Sequence, residues 1–231
     1  MKKEELQKRI DEIDWWHSID LPTDDFDMLV TPGAVDHCSE ELATDRFGMP
    51  LSLKNKTVLD VGTWDGYFAF LAEKRGGIVT AIDPLQGCSH MDQGTAGFEL
   101  AKEVLESNVT FYQQSLFVHS LNFGFGNLTY DIVLYYGVLY HVEDPIGELY
   151  NLFKITGEFA LIETAISPEI ELNGERLPNW VFKPGHENDP TNFFYPNLTG
   201  LETALKHVGF KSMDFISATP GGERATVRAN K

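Results

Sequence analysis

Cysteine is nearly absent: Cys38 and Cys88 are the only two in 231 residues. Two cannot build a disulfide framework, and their spacing matches no zinc motif, so a reduced, cytoplasmic setting and no metal site are expected. Long apolar runs are missing, which leaves no membrane span to expect. The charged opening MKKEELQKRI is followed by no apolar segment, so no secretory leader is read there. Positive charge is scarce too. The 18 Lys and Arg face 35 Asp and Glu, a net charge of −17, and no basic run exceeds two residues. That balance disfavours nucleic acid as a partner. Repeats and low-complexity tracts are absent. With 42% hydrophobic residues, the chain fits one α/β core plus a cap rather than two domains.

What is present is concentrated in residues 57–83, TVLDVGTWDGYFAFLAEKRGGIVTAID. An apolar run broken only by Asp60 predicts a strand. Gly62 and Gly66 predict a turn, residues 67–75 a helix ended by Gly76 and Gly77, and residues 78–82 a second strand ending on Asp83. Strand, glycine turn, helix, strand and acid make half of a nucleotide-binding α/β sheet. Gly62 lets the backbone leave the strand, and Gly66 leaves room for a ligand against the helix start. Asp83 is placed to accept hydrogen bonds from both hydroxyls of a ribose. Asp60, inside a strand, would be costly unless it meets a cationic ligand group or nearby backbone N–H groups.

The turn lacks the G-x-G-x-x-G pattern that seats a pyrophosphate on a helix N-terminus. It reads G-T-W-D-G, with Thr63, Trp64 and Asp65 between the glycines. Trp64 and Asp65 would crowd and repel a diphosphate. An acidic turn suits S-adenosylmethionine, which has no phosphate and carries a positive sulfonium.

Elsewhere, Leu6, Ile10 and Ile13 fall at helical spacing, so residues 1–16 read as an amphipathic helix. Trp15, Trp16 and His17 follow; they either pack this helix on the core or form a lid with His17 facing the cofactor. Residues 20–31 read as a loop, 34–47 as a short helix, and 84–95, beginning at Pro84, as a loop with a possible lid role. A helix over 96–107 and a third strand over 109–113 follow, then a connection over 120–128. Residues 131–136 predict a fourth strand buried on both faces, ending at Tyr136. Its carboxyl end places Gly137, Tyr140 and His141 where open α/β sheets bind ligands. His141 could act as general base or fix its loop. Glu163 interrupts a fifth strand over 158–166 and is either paired or lining a pocket. Residues 167–192 read as a long polar insertion over the substrate. Asn197 or Thr199 caps a helix ending at Gly209, and a hairpin of strands over 211–217 and 224–229 closes the sheet.

The 57–83 stretch resembles motif I of the class I S-adenosylmethionine-dependent methyltransferases, with Asp83 as the ribose acid. VLDVGTWDGY, GVLYH followed by a proline, LIET, FYPN and ERAT resemble, in order, the wobble-uridine tRNA methyl- and carboxymethyltransferase branch; WWHSIDLP and TPG resemble its shorter relatives. The resemblance implies a Rossmann-like, doubly wound, mostly parallel seven-stranded sheet with an antiparallel C-terminal strand. It implies a helical cap over residues 1–50 and a methyltransferase domain over 51–231. Asp60, Gly62, Thr63, Trp64, Gly66, Asp83, Pro84 and Tyr136 are then cofactor-site candidates. Ser115 and Leu116 are placed at the adenine. Tyr140, His141, Glu163, Arg224 and His17 are the catalytic candidates. Residues 21–41 contain no lysine or arginine, whereas the carboxymethyltransferases use a lysine in that region to hold a carboxylated cofactor. Plain S-adenosylmethionine is therefore expected. The expected acceptor is an O or N atom of a small molecule, a sugar or a secondary metabolite, with wobble-uridine tRNA as the alternative.

Overall fold

The computed structural model describes residues 1–34, 39–84, 94–124 and 128–231. A seven-stranded sheet runs β12-β13-β7-β6-β3-β4-β5, built from β3 (Thr57–Val61), β4 (Ile78–Ile82), β5 (Thr110–Tyr112), β6 (Tyr130–Tyr136), β7 (Thr156–Ala165), β12 (Ser212–Ala218) and β13 (Arg224–Asn230). All neighbours from β5 to β7 pair in parallel, and β13 is antiparallel to both β7 and β12. The chain order reverses between β3 and β6, so the carboxyl ends of these two strands flank the switch-point crevice.

Helices cover both faces. α3 (Tyr67–Lys74) and α4 (Ala96–Val104) join a core layer containing Phe68, Leu71, Phe98 and Leu100. α5 (Leu116–Gly124), α6 (Pro145–Ile155) and α7 (Leu198–Val208) cover the other face, with Leu116, Leu149, Leu152, Leu201 and Leu205 packed on the sheet. β6 is buried along nearly its whole length, which is why it reads as an unbroken apolar run. Asp144 caps α6 by accepting the Gly147 N–H at 3.0 Å, with Pro145 at the first helical position. Asn197, not Thr199, caps α7 by accepting the Gly200 N–H at 2.7 Å, and Gly209 ends it at φ 123°.

Four sequence expectations change. α1 (Lys3–Asp11) is shorter than 1–16, because the Trp15 indole N–H donates to the Ile10 carbonyl at 3.1 Å and occupies a C-terminal acceptor of the helix. The predicted loop over 20–31 is a small antiparallel pair, β1 (Asp20–Pro22) with β2 (Met28–Val30), so the N-terminal cap is not purely helical. The helix expected over 34–47 narrows, among the described residues, to α2 (Glu40–Asp45). The predicted connection after residue 120 is in part helix α5, which starts after Ser115, whose Oγ accepts the Val118 N–H at 3.3 Å. The polar insertion also carries structure. β8 (Ile170–Leu172) pairs with β9 (Glu175–Leu177) through an Asn173–Gly174 turn with both φ values positive, and β10 (Trp180–Phe182) pairs with β11 (Phe194–Pro196). Cys38, Cys88 and most of the proposed lid after Pro84 lie outside the described residues.

Candidate active site

Asp60 is the fourth of the five residues of β3 and 3% exposed. Its Oδ2 accepts the Thr63 hydroxyl at 2.7 Å, and burial pushes its pKa up to about 6 against the opposing pull of that bond. Gly62 turns at φ 72°, and a Cβ there would fall 2.5 Å from the Val138 side chain, so glycine is required. Trp64 is also left-handed, at φ 52°, an uncommon state for a bulky residue. Its N–H donates to Asp83 Oδ2 at 3.0 Å, tying the turn to the end of β4. Asp60 and Asp83 thus stand on adjacent parallel strands at the carboxyl edge. A Cβ at Gly66 would sit 2.4 Å from the Phe70 ring and 2.7 Å from the Phe98 ring, so its bareness also admits core aromatics.

Asp65 does not line the turn as a free acid. Its Oδ2 accepts the N–H groups of Trp16 at 2.9 Å and His17 at 2.8 Å, and its Oδ1 pairs with the His17 ring Nδ1. Trp16 packs on Trp64 with ring centroids 5.5 Å apart, and His17 stacks on Tyr67 at 5.6 Å. Thr31 fixes the same segment, donating to the His17 carbonyl at 2.7 Å. The N-terminal segment is therefore strapped onto the β3–α3 turn. His17 itself is buried within that strap.

Tyr140, Glu163 and Arg224 meet at the carboxyl ends of β6 and β7. Arg224 donates to Glu163 through Nε at 2.5 Å and Nη2 at 2.8 Å, and through Nη2 to the Tyr140 hydroxyl at 3.3 Å. Burial opposes the Arg224 charge, and the Glu163 carboxylate outweighs it, so the guanidinium stays charged with a raised pKa. Arg46 adds a second cation 3.9 Å from Glu163. Gly137 turns at φ 74° and donates to the Glu163 carbonyl at 2.9 Å. His141 follows Tyr140, its ring 4.1 Å away centre to centre. Its Nδ1 lies 2.9 Å from Thr191 Oγ1, while that hydroxyl donates to Asp189 at 2.6 Å. With the threonine proton spent on Asp189, Nδ1 carries a proton and donates, which leaves Nε2 with the lone pair. Burial lowers the His141 pKa, so the ring is neutral near pH 7.

Tyr136, Leu116 and Pro84 complete the cofactor candidates. Tyr136 is buried against Phe47 and Phe68, and its hydroxyl donates to the Phe47 carbonyl at 3.0 Å. Leu116 is buried at the start of α5, beside Ser115. Pro84 is half-buried directly after Asp83.

A family described as a methyltransferase domain matches residues 39–213. The chain belongs to that family. It is a class I S-adenosylmethionine-dependent methyltransferase, and S-adenosylmethionine is its cofactor. Among curated proteins it is similar to the tRNA U34 carboxymethyltransferases of Aliarcobacter butzleri (strain RM4018), 27% identical over 73% of this chain and 51% of that protein, and of Helicobacter acinonychis (strain Sheeba), 29% identical over 76% and 64%. The chain spans only about half to two thirds of the length of these relatives. Among solved structures, the N-terminal domain of EvdMO1 with SAH bound superposes at TM-score 0.65 with 19% identity, covering all of this chain and 97% of that one. Magnesium protoporphyrin IX methyltransferase (ChlM) from Synechocystis PCC 6803 with bound SAM superposes at 0.51 with 17% identity over 78% and 71%. At these identities the two structures show a shared fold.

The residues present in this methyltransferase fit the cofactor. Two carboxylates at the carboxyl ends of β3 and β4, beside the switch point, suit a ligand with a cationic end and vicinal hydroxyls, and the Gly62 and Trp64 conformations draw backbone toward them. The sequence reading missed the Asp65 anchor, the Arg46 contact and the Asp189–Thr191–His141 chain. Nothing local signals the last two, because their partners lie 117 and 50 residues away in sequence.

Proposed function

We propose that the methyltransferase moves a methyl group to an oxygen or nitrogen of a small molecule, a sugar or a secondary metabolite. The observation that carries this reading is charge. The net charge is −17, and five of the 18 basic side chains are paired with acids on the surface: Lys3 with Asp27, Arg9 with Glu103, Lys56 with Glu158, Lys74 with Glu40 and Lys206 with Glu202. A tRNA site needs a contiguous basic face, because phosphate contacts supply most of the affinity. The similarity to tRNA U34 carboxymethyltransferases favours the second reading, a wobble-uridine modifying enzyme. Against carboxymethyl transfer, Arg224 already holds a carboxylate, that of Glu163.

In this reading residues 1–50 cap the domain formed by 51–231. Asp83 accepts from the ribose hydroxyls, and Asp60 faces the cationic end of the cofactor. The bound sulfonium supplies an already activated methyl group, so alignment and proton removal remain for the protein. His141 Nε2 takes the proton from the acceptor, while Thr191 and Asp189 hold the ring from behind. Tyr140 and Arg224, fixed by Glu163, orient the acceptor. Filter binding of bulk tRNA tests the choice of substrate class. No submicromolar affinity is expected at physiological salt, and a submicromolar, salt-sensitive affinity would promote the tRNA reading.

A further inference from the structure

Three buried polar atoms lack a hydrogen-bond partner among the described residues: Ser167 Oγ, Asn192 Oδ1 and the Tyr195 hydroxyl. Asn192 is 4% exposed and Tyr195 9%. Buried polar atoms are nearly always paired, so three in one neighbourhood call for an explanation. They are one neighbourhood by contact. Ser167 N–H donates to the Pro196 carbonyl at 2.8 Å, next to Tyr195. The Tyr195 ring lies edge-on to His186 at 5.3 Å, and the Asn192 amide donates to the His186 carbonyl at 2.9 Å. That bond fixes the orientation of the amide, leaving its oxygen as the unpaired end. Tyr195 also lies nearly parallel to Tyr140, centroids 6.5 Å apart, and Phe193 N–H donates to the Tyr140 carbonyl at 2.8 Å. The strip is therefore continuous with the Tyr140–Arg224–Glu163 cluster.

We propose that Ser167, Asn192 and Tyr195 form the acceptor subsite and that it takes a neutral polyhydroxylated ring of monosaccharide size; this rests on the small-molecule reading above. The Asn192 oxygen can only accept, so the ligand must donate to it. The two hydroxyls can donate or accept. A ligand hydroxyl meets all three demands, whereas a carboxylate or phosphate would face the amide oxygen together with Asp189 and Glu163. The Tyr195 ring, stacked 6.5 Å from Tyr140, supplies an aromatic wall to the subsite. Because these atoms are buried, the acceptor enters only when this part of the insertion opens locally.

Saturation-transfer NMR on the full chain with S-adenosylhomocysteine added tests this, with D-fucose, D-glucose and D-galactose as probes. Transfer to at least one is expected. Tyr195→Phe and Ser167→Ala should each raise its Kd about tenfold. Melting temperature should hold or rise, since each change deletes an atom that has no partner in the fold. No transfer to any of the three sugars, or an unchanged Kd in both variants, would overturn the proposal. Calorimetry of S-adenosylhomocysteine on the same samples, with transfer of a labelled methyl group into the low-mass fraction of an extract, keeps the two readings apart. Cofactor binding and low-mass labelling without sugar binding would remove this inference alone.

Discussion

At the residue scale, His141 is the sharpest test of the chemistry. Its Nδ1 donates to a threonine whose own proton is committed to Asp189, so Nε2 is the basic atom. His141→Asn keeps an N–H near the Nδ1 position and removes the base. Turnover should fall by about 10²–10⁴-fold, the usual worth of a general base, with little change in melting temperature. A wild-type single-turnover rate with a lowered melting temperature would make His141 a fastener of the insertion only. Asp60 carries a second prediction. Its folded pKa of about 6 means that the carboxylate is largely protonated at pH 5 and ionised at pH 7. A cationic ligand end prefers the ionised form. The Kd for S-adenosylmethionine should therefore fall as pH rises from 5 to 7 and then level off, and Asp60→Asn should flatten the profile. Calorimetry across that range checks it; a flat wild-type profile would separate Asp60 from the cofactor. Asp60, Gly62, Asp83 and Tyr140 were legible because strand-end position and local turn chemistry decide their place. The partners of Glu163 and His141 were not, because they arrive from β13 and the insertion.

At the element scale, the N-terminal strap depends on one side chain. Asp65 accepts two backbone N–H groups and faces the His17 ring within a buried setting. Asp65→Ala leaves those donors unpaired and should lower unfolding free energy by about 2–4 kcal/mol in urea titrations. A loss under about 1 kcal/mol would mean that the strap is held elsewhere. The strands of the main sheet were readable from apolar runs bounded by glycine and acid. The β8–β9 hairpin carried a readable signal as well, an Asn–Gly pair between short strands, but its faces are largely exposed and its apolar alternation is weak. β1, β2, β10 and β11 are three residues each, too short for periodicity to register.

At the scale of the whole molecule, buried titrating groups set the pH response. His119 is fully buried between Gln114 at 2.5 Å and the Tyr130 hydroxyl at 3.1 Å, and burial lowers its pKa to about 4. The folded state therefore disfavours the charged ring. The stability that follows from the neutral form is complete above the unfolded pKa, about 6.5, and is lost as pH falls from there toward 4. Glu148 and Asp60 act in the opposite sense, since burial raises both and their folded forms favour the proton. Comparing wild type with His119→Gln isolates the histidine. The variant should lose less stability between pH 7 and pH 4.5, by at most about 3 kcal/mol, and parallel stability curves would refute the assignment.

The surplus of acid over base underlies the choice of a small acceptor, and the fate of the methyl group tests that choice most directly. An extract would be incubated with the protein and S-adenosylmethionine labelled in its methyl group, then divided into tRNA and low-mass fractions for mass spectrometry. The account expects label in a low-mass product, dependent on the protein and reduced by His141→Asn. Label confined to a tRNA nucleoside would contradict it.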